Sequence, residues 1–339
     1  MLKRARRALV LALTGSLAAL LAVTPAAAQK QSVVIYTAIE NEQIAEYKKA
    51  YEKALPNLDV KMLRLSTGDI AARFMAEKDN MQADLIWGVG ATNMLQFKNA
   101  GLLEPYAPKG LERIQPLFRD KANPPAWVGL DIYMSAFCFN TEVGKKHTLP
   151  RPESWADLTK PVYKGHVVMP NPASSGTGYL SVVSVLQRMG EAEGWKYLDA
   201  LDKNIAEYTK SGSKPCKDSA AGERAVGVSF EYVAHEMIKK GSPVQMVLPR
   251  EGSGYEIEAN GLTKKGAKNA AAKQFLDWAI TDESLKIAAQ FFAAVSAPGF
   301  AAPEGLPKDV SKVVFPNDFD WSAKNRDRIL AEWQKRYAK

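Results

Sequence analysis

Apolar positions along this chain alternate between the unbroken runs of buried strands and the three-to-four spacing of helices. "SVVIYT" (32–37) is a run of β-branched and aromatic residues and predicts a strand. In "NEQIAEYKKAYEKALP", Ile44, Tyr47, Tyr51 and Leu55 recur at helical spacing, and Pro56 ends the pattern. The alternation repeats with a strand at 60–66 and a helix over "DIAARFMAEKDN", which puts Ile70, Phe74 and Met75 on one side. A strand "ADLIWG" (83–88) and a helix near 91–100 follow. Strand and helix in units of about 25–30 residues predict a parallel sheet covered on both faces.

The pattern pauses at "PPAWVGLDIYMSAFCFNTE" (124–142), which reads as long extended chain. It resumes with the strand "GHVVMP" (165–170), the loop "NPASSGTGYLS" (171–181), a helix to about Met189 and another around "EGWKYLDALDKNI". A strand at 225–230, the helix "EYVAHEMIKK", a strand at 243–249 and the Gly-rich extended "EGSGYEIEANGL" come next. A long helical region (269–292) and the amphipathic "AKNRDRILAEWQKRY" complete the chain. These elements predict an α/β protein of two lobes, each a mostly parallel sheet flanked by helices. Extended crossings near 127–137 and 247–262 would hinge them, with a later one near 294–301. Both lobes are then discontinuous: residues 29–130 with 260–296, and residues 131–259 with 297–339. Ligands of open parallel sheets bind at the carboxyl ends of strands, so two facing sheets predict a cleft.

The first residues set the compartment. Lys3, Arg4, Arg6 and Arg7 precede an apolar run from Ala8 to Val23 and the small residues Ala26, Ala27 and Ala28. This is the pattern of a secretory signal peptide over 1–28, cut after Ala28. The run is short for a membrane span. Export without a cysteine for a lipid anchor predicts the periplasm. Cleavage lowers the formal charge from +8 to about +4. The basic residues are scattered among acids, so no nucleic-acid partner is expected. Cys138 and Cys216 are an even pair in an oxidising compartment, forming either one disulfide or two buried thiols.

Candidate chemistry gathers in the loops. Ser174, Ser175, Gly176, Thr177 and Gly178 lie just before a helix. A helix start leaves amides without partners and carries partial positive charge, which suits a tetrahedral oxyanion. Ser and Thr are also ordinary helix caps. "LSTGDIAARF" repeats the arrangement in the other lobe, with Ser66, Thr67 and Gly68 between strand and helix. Two such loops would face each other across a closed cleft. "TAIENEQ" adds Thr37, Ala38 and Glu40, and "SFEYVAHE" adds Glu231 and Tyr232. A carboxylate beside an oxyanion site is repulsive unless the ligand also carries a cation, so the pattern permits a zwitterion.

Enzyme readings find little support. The three histidines, His147, His166 and His235, fall in separate segments. There is no G-x-S-x-G elbow, H-E-x-x-H, P-loop or S-x-x-K nucleophile set. "GVGATN" and "GTGYLS" begin like a dinucleotide fingerprint but lack its final glycine. Tyr232 and His235, with Glu231 and Glu236, offer a ferric alternative through phenolate and carboxylate. The reading is of a binding protein with no cofactor and no catalytic residues.

The whole mature sequence resembles the periplasmic solute-binding proteins of ABC importers, a family that includes ferric-ion and polyamine binders. "YTAIENEQ", "ADLIWG", "ESWADLTKPVYKGHVVMPNPASSGTGYL" and "AKNAAAKQFLDWAITDE" carry the resemblance. "NPASSGTGYLS", "YTKSGSKPCK", "VGVSFEYVAHE" and "LPREGSGYEIEANGL" resemble its 2-aminoethylphosphonate-binding branch. Ferric-binding relatives have two adjacent tyrosines where this chain has Glu231-Tyr232. The resemblance implies the type II two-lobed fold, a monomer, and a partner permease with a separate ATPase. It implies a phosphonate on Ser66, Thr67, Ser174, Ser175, Gly176, Thr177 and Tyr232. It implies the amine near Thr37, Ala38, Glu40 and Glu231. A ferric ion, another small anion or a polyamine is the alternative ligand.

Overall fold

The computed structural model describes residues 30–337, so the expected signal segment 1–28 lies outside the described residues. β1 (Gln31–Thr37) leads into α1 (Asn41–Ala54), which starts with a reciprocal cap between Glu40 and Gln43. That helix buries Tyr47 and Tyr51, and the amide of Leu55 closes its last turn on Tyr51 O just before Pro56. β2 (Leu58–Arg64), α2 (Thr67–Ala76), β3 (Leu85–Gly90), α3 (Ala91–Asn99) and the short β4 (Leu103–Glu104) follow. β1 pairs in parallel with β2 and β3, as two consecutive crossover helices require.

β5 (Val128–Asn140) is buried along all 13 residues and belongs to two sheets in turn. Beyond it lie α4 (Thr141–Lys146), β6 (Val167–Pro170), α5 (Gly176–Met189), α6 (Glu191–Asp202) and β7 (Ile205–Thr209). α7 (Lys214–Ala220), β8 (Val226–Phe230), α8 (Glu231–Lys239) and β9 (Val244–Val247) complete the second lobe's sheet and its covering helices. The chain then returns through β10 (Tyr255–Thr263), α9 (Ala270–Ala279), α10 (Asp282–Ala288) and β11 (Ala294–Val295). The terminal α11 (Phe319–Tyr337) packs Ile329, Trp333 and Tyr337 into the second core.

The hinge is visible in the register of β5. Tyr255 of β10 pairs with Met134, and the next residue, Ser135, pairs with Phe230 of β8. The amide of Ser135 donates to Gly254 O at 2.8 Å. The pairing of β5 therefore passes from one sheet to the other at Met134–Ser135, and all of β10 pairs within the first sheet. Two hydrophobic clusters follow, one around Trp87, Phe74 and Phe275 that continues across the boundary to Leu180, Cys216 and Tyr232, and one around Trp155, Tyr163 and Phe137 within the second lobe. The expected helical region 269–292 is two helices, because Thr281 caps a new start by accepting from the amide of Ser284. Cys138 on β5 and Cys216 on α7 are disulfide-bonded, with Cα atoms 5.3 Å apart.

Candidate functional site

The N-termini of α2 and α5 meet across the lobe boundary. Ser66 and Ser175 hold their N-cap positions in extended backbone, as residues entering a helix do. Ser175 Oγ accepts from the amide of Gly178 at 3.2 Å, while Ser66 makes no such cap bond. The amide of Gly68 donates across the gap to Ser174 O at 3.0 Å. Contact is close enough to require glycine: a Cβ on Gly68 would overlap Ala173 and Ser174, and one on Gly176 would press into Thr67.

Between these helix ends lies a cavity of about 40 Å³. Ser66, Thr67, Ser175, Gly176, Thr177, Ala38 and Glu40 line it, all expected from the sequence. Tyr133, Arg64, Phe230, Glu258, Gly88, Gly90 and Gly212 complete the wall, and all of these but the aromatic Tyr133 were not foreseen. Arg64 ends β2, where its Nη2 lies 3.0 Å from Glu40 Oε1 and its Nε donates to Ile39 O at 3.2 Å. Two helix N-termini bring partial positive charge to the cavity, and the Arg64 guanidinium reaches it paired with Glu40, which also lines it.

The lining also has an acidic part. Glu258 reaches the cavity from β10, and its register partner on β5 is Asp131. Asp131 is fully buried and neither carboxylate oxygen has a hydrogen-bond partner among the described residues. Glu231 stands close by, also fully buried, with Oε2 accepting from the amide of Met134 at 2.6 Å and Oε1 unpartnered. Burial pushes the Glu258 carboxyl up to about 8, with Glu40 and Glu231 adding repulsion and Arg64 opposing it. Burial likewise raises Glu231 to about 8 against the pull of the Met134 amide, and holds Asp131 well above the ordinary carboxylate range. Glu256, raised by burial to about 7, accepts from the amide of Ile257 at 3.0 Å beside the start of α3.

Four expected site residues lie off the cavity wall. Thr37 is fully buried and its Oγ1 accepts from the amide of Ile39. Ser174 turns its Oγ to Lys210 O at 2.8 Å and meets the first lobe through its backbone. Glu231 sits behind Glu258, fixed on the hinge strand. Tyr232 packs among Phe230, Phe291 and Phe292, with burial raising its phenol far above the ordinary range. Among the described residues no trio of His, Cys, Asp or Glu is placed to hold a metal ion. The signal for Glu258 was present in the sequence: Glu256 and Glu258 are carboxylates spaced by two in a strand otherwise suited to burial.

A family model of bacterial extracellular solute-binding proteins matches residues 80–319. An uncharacterized protein of Haemophilus influenzae is 36% identical over 281 residues, covering 81% of this chain and 80% of its own length. The periplasmic binding protein AfuA from Actinobacillus pleuropneumoniae, with exogenous fructose-6-phosphate bound, superposes with a TM-score of 0.82 at 31% identity. That match covers 90% of this chain and 98% of AfuA. Iron-bound HitA from Pseudomonas aeruginosa shares the fold, with a TM-score of 0.77 at 18% identity over 90% of this chain and 99% of its own.

Proposed function

The chain belongs to the bacterial extracellular solute-binding proteins and has their two-lobed type II α/β fold, and from that premise we propose that its cleft captures 2-aminoethylphosphonate. One observation carries the reading: a single cavity is lined by two helix N-termini, the Arg64–Glu40 pair and the buried carboxyl of Glu258. The phosphonate takes donors from Ser66, Thr67, Ser175, Thr177 and the first amides of α5, with Arg64 as counter-charge. The ammonium is read by Glu258, whose buried carboxyl gives up its proton as the ammonium binds. Each charge-assisted hydrogen bond contributes roughly 1.5–3 kcal/mol, enough in number for micromolar capture of a small ligand.

The work is transport, not catalysis. Ligand binds in the periplasm, the lobes bend about Met134–Ser135 and Gly254, and the closed form is handed to an ABC permease powered by a separate ATPase. The AfuA likeness favours a second reading, in which the same phosphoryl end belongs to a sugar phosphate and the buried acids bind sugar hydroxyls. A ferric ion fits less well, because Tyr232 is packed away from the cavity.

Calorimetry on protein stripped of ligand by unfolding and refolding separates these. 2-Aminoethylphosphonate, inorganic phosphate, ethanolamine, fructose-6-phosphate and ferric citrate are injected in turn. Tight binding of the aminophosphonate alone supports the zwitterion reading. Preference for fructose-6-phosphate replaces it with the sugar phosphate, and heat from iron alone overturns both.

A further inference from the structure

On the second lobe, at the end of β6 away from the cleft, two of the chain's three histidines come together. His147 ends α4, and His166 stands one residue before β6. Their ring centres are 4.8 Å apart with planes at 54°. Two imidazoles that share one ion at ordinary metal–nitrogen distances have centres roughly 5 Å apart. Among the described residues neither ring makes a hydrogen bond, whereas the third histidine, His235, has Nε2 2.8 Å from Glu304 O.

The backbone holds both partners. The amide of His166 donates to Tyr163 O at 2.9 Å, and its carbonyl accepts from Val226 at 3.0 Å. Directly after His147, Thr148 has a φ of 53°, a left-handed conformation that a β-branched residue rarely takes. That turn closes α4, the amide of Leu149 donating to Gly144 O at 2.8 Å, and the exposed His147 ring at the helix end lies against the half-buried His166.

We propose that His147 and His166 form a surface site for a divalent d-block cation that prefers imidazole nitrogen, Cu²⁺ above Zn²⁺, with water completing the coordination. Metal binding requires the unprotonated ring. The Arg224 guanidinium is a charged neighbour of His166. Arg224 opposes the incoming cation, so it limits the affinity. The site is independent of the cleft ligand, since the length of β6 separates them.

The test uses Cu²⁺ on the mature protein, read by proton NMR of the histidine ring signals. Sub-stoichiometric Cu²⁺ is expected to broaden His147 and His166 together and to leave His235 sharp. Calorimetry with Zn²⁺ is expected to show binding weakened roughly tenfold or more in H147Q and in H166Q, and tightened in R224Q. His147 is exposed, so H147Q keeps the test valid should H166Q perturb the lobe. Unbroadened His147 and His166 signals, or unchanged affinity in H147Q, overturn the proposal.

Discussion

Thr177 and Glu258 test the two ends of the proposed ligand separately. Thr177→Val removes the hydroxyl while keeping the side-chain branch, and is expected to weaken aminophosphonate binding roughly tenfold or more with little change in melting temperature. Ser175→Ala should lower both affinity and stability, because that hydroxyl also caps α5. Glu258→Gln is expected to abolish the preference for aminophosphonate over inorganic phosphate, read by competition calorimetry. The buried acids also fix the pH dependence. Their folded pKa values, about 8 for Glu258 and Glu231 and about 7 for Glu256, lie above the ordinary 4.5. The folded state therefore keeps protons that the unfolded chain has lost, and ligand-free stability falls as pH rises from about 5 to 8. A cationic group displaces such a proton, so affinity should rise over the same window. Calorimetry in buffers of different ionisation enthalpy should detect proton release; a pH-independent affinity would count against an ammonium at Glu258.

Closure depends on how α2 meets α5. Gly68 lies in the first turn of a helix, where alanine is locally favourable, yet its Cβ would overlap Ala173 and Ser174 of the other lobe. Gly68→Ala is thus expected to leave the ligand-free melting temperature unchanged or higher while blocking closure. X-ray scattering should show no compaction on adding ligand, and affinity should fall. The ion pairs Lys210–Asp69 and Lys217–Glu42 also join the lobes, but these exposed contacts, 3.5 and 3.9 Å long, contribute little by comparison.

At the scale of the molecule, the disulfide and the hinge do different jobs. Cys138 and Cys216 both lie in the second lobe, 78 residues apart, so their bond staples that lobe without spanning the hinge. Replacing both by serine should cost on the order of 4 kcal/mol, seen as a lower melting temperature, and leave the ligand-induced change in scattering intact. The hinge is the crossings of β5 and β10 with a third segment, Val313–Phe315, bonded to Ser253 beside them, and the buried acids Asp131 and Glu231 stand against the β5 crossing.

Much of this protein is written locally. The 3.6 and unbroken apolar patterns specify α1, α2, β3, α5 and α8 because each element buries one face or two, whatever its neighbours. The hydroxyl-rich loops before α2 and α5 are equally legible, since capping chemistry depends on the next three residues. The partition of β5 is not, because nothing in a uniformly buried strand marks Met134 as paired with one sheet and Ser135 with another. The cavity's two unforeseen charges share that cause. Arg64 and Glu258 lie nearly 200 residues apart in a chain of 339, and only strand order and register bring them to one wall. Sequence alone determined the elements and the anion-seeking loops; tertiary structure decided which charges face them, because side-chain periodicity is local and strand pairing is not.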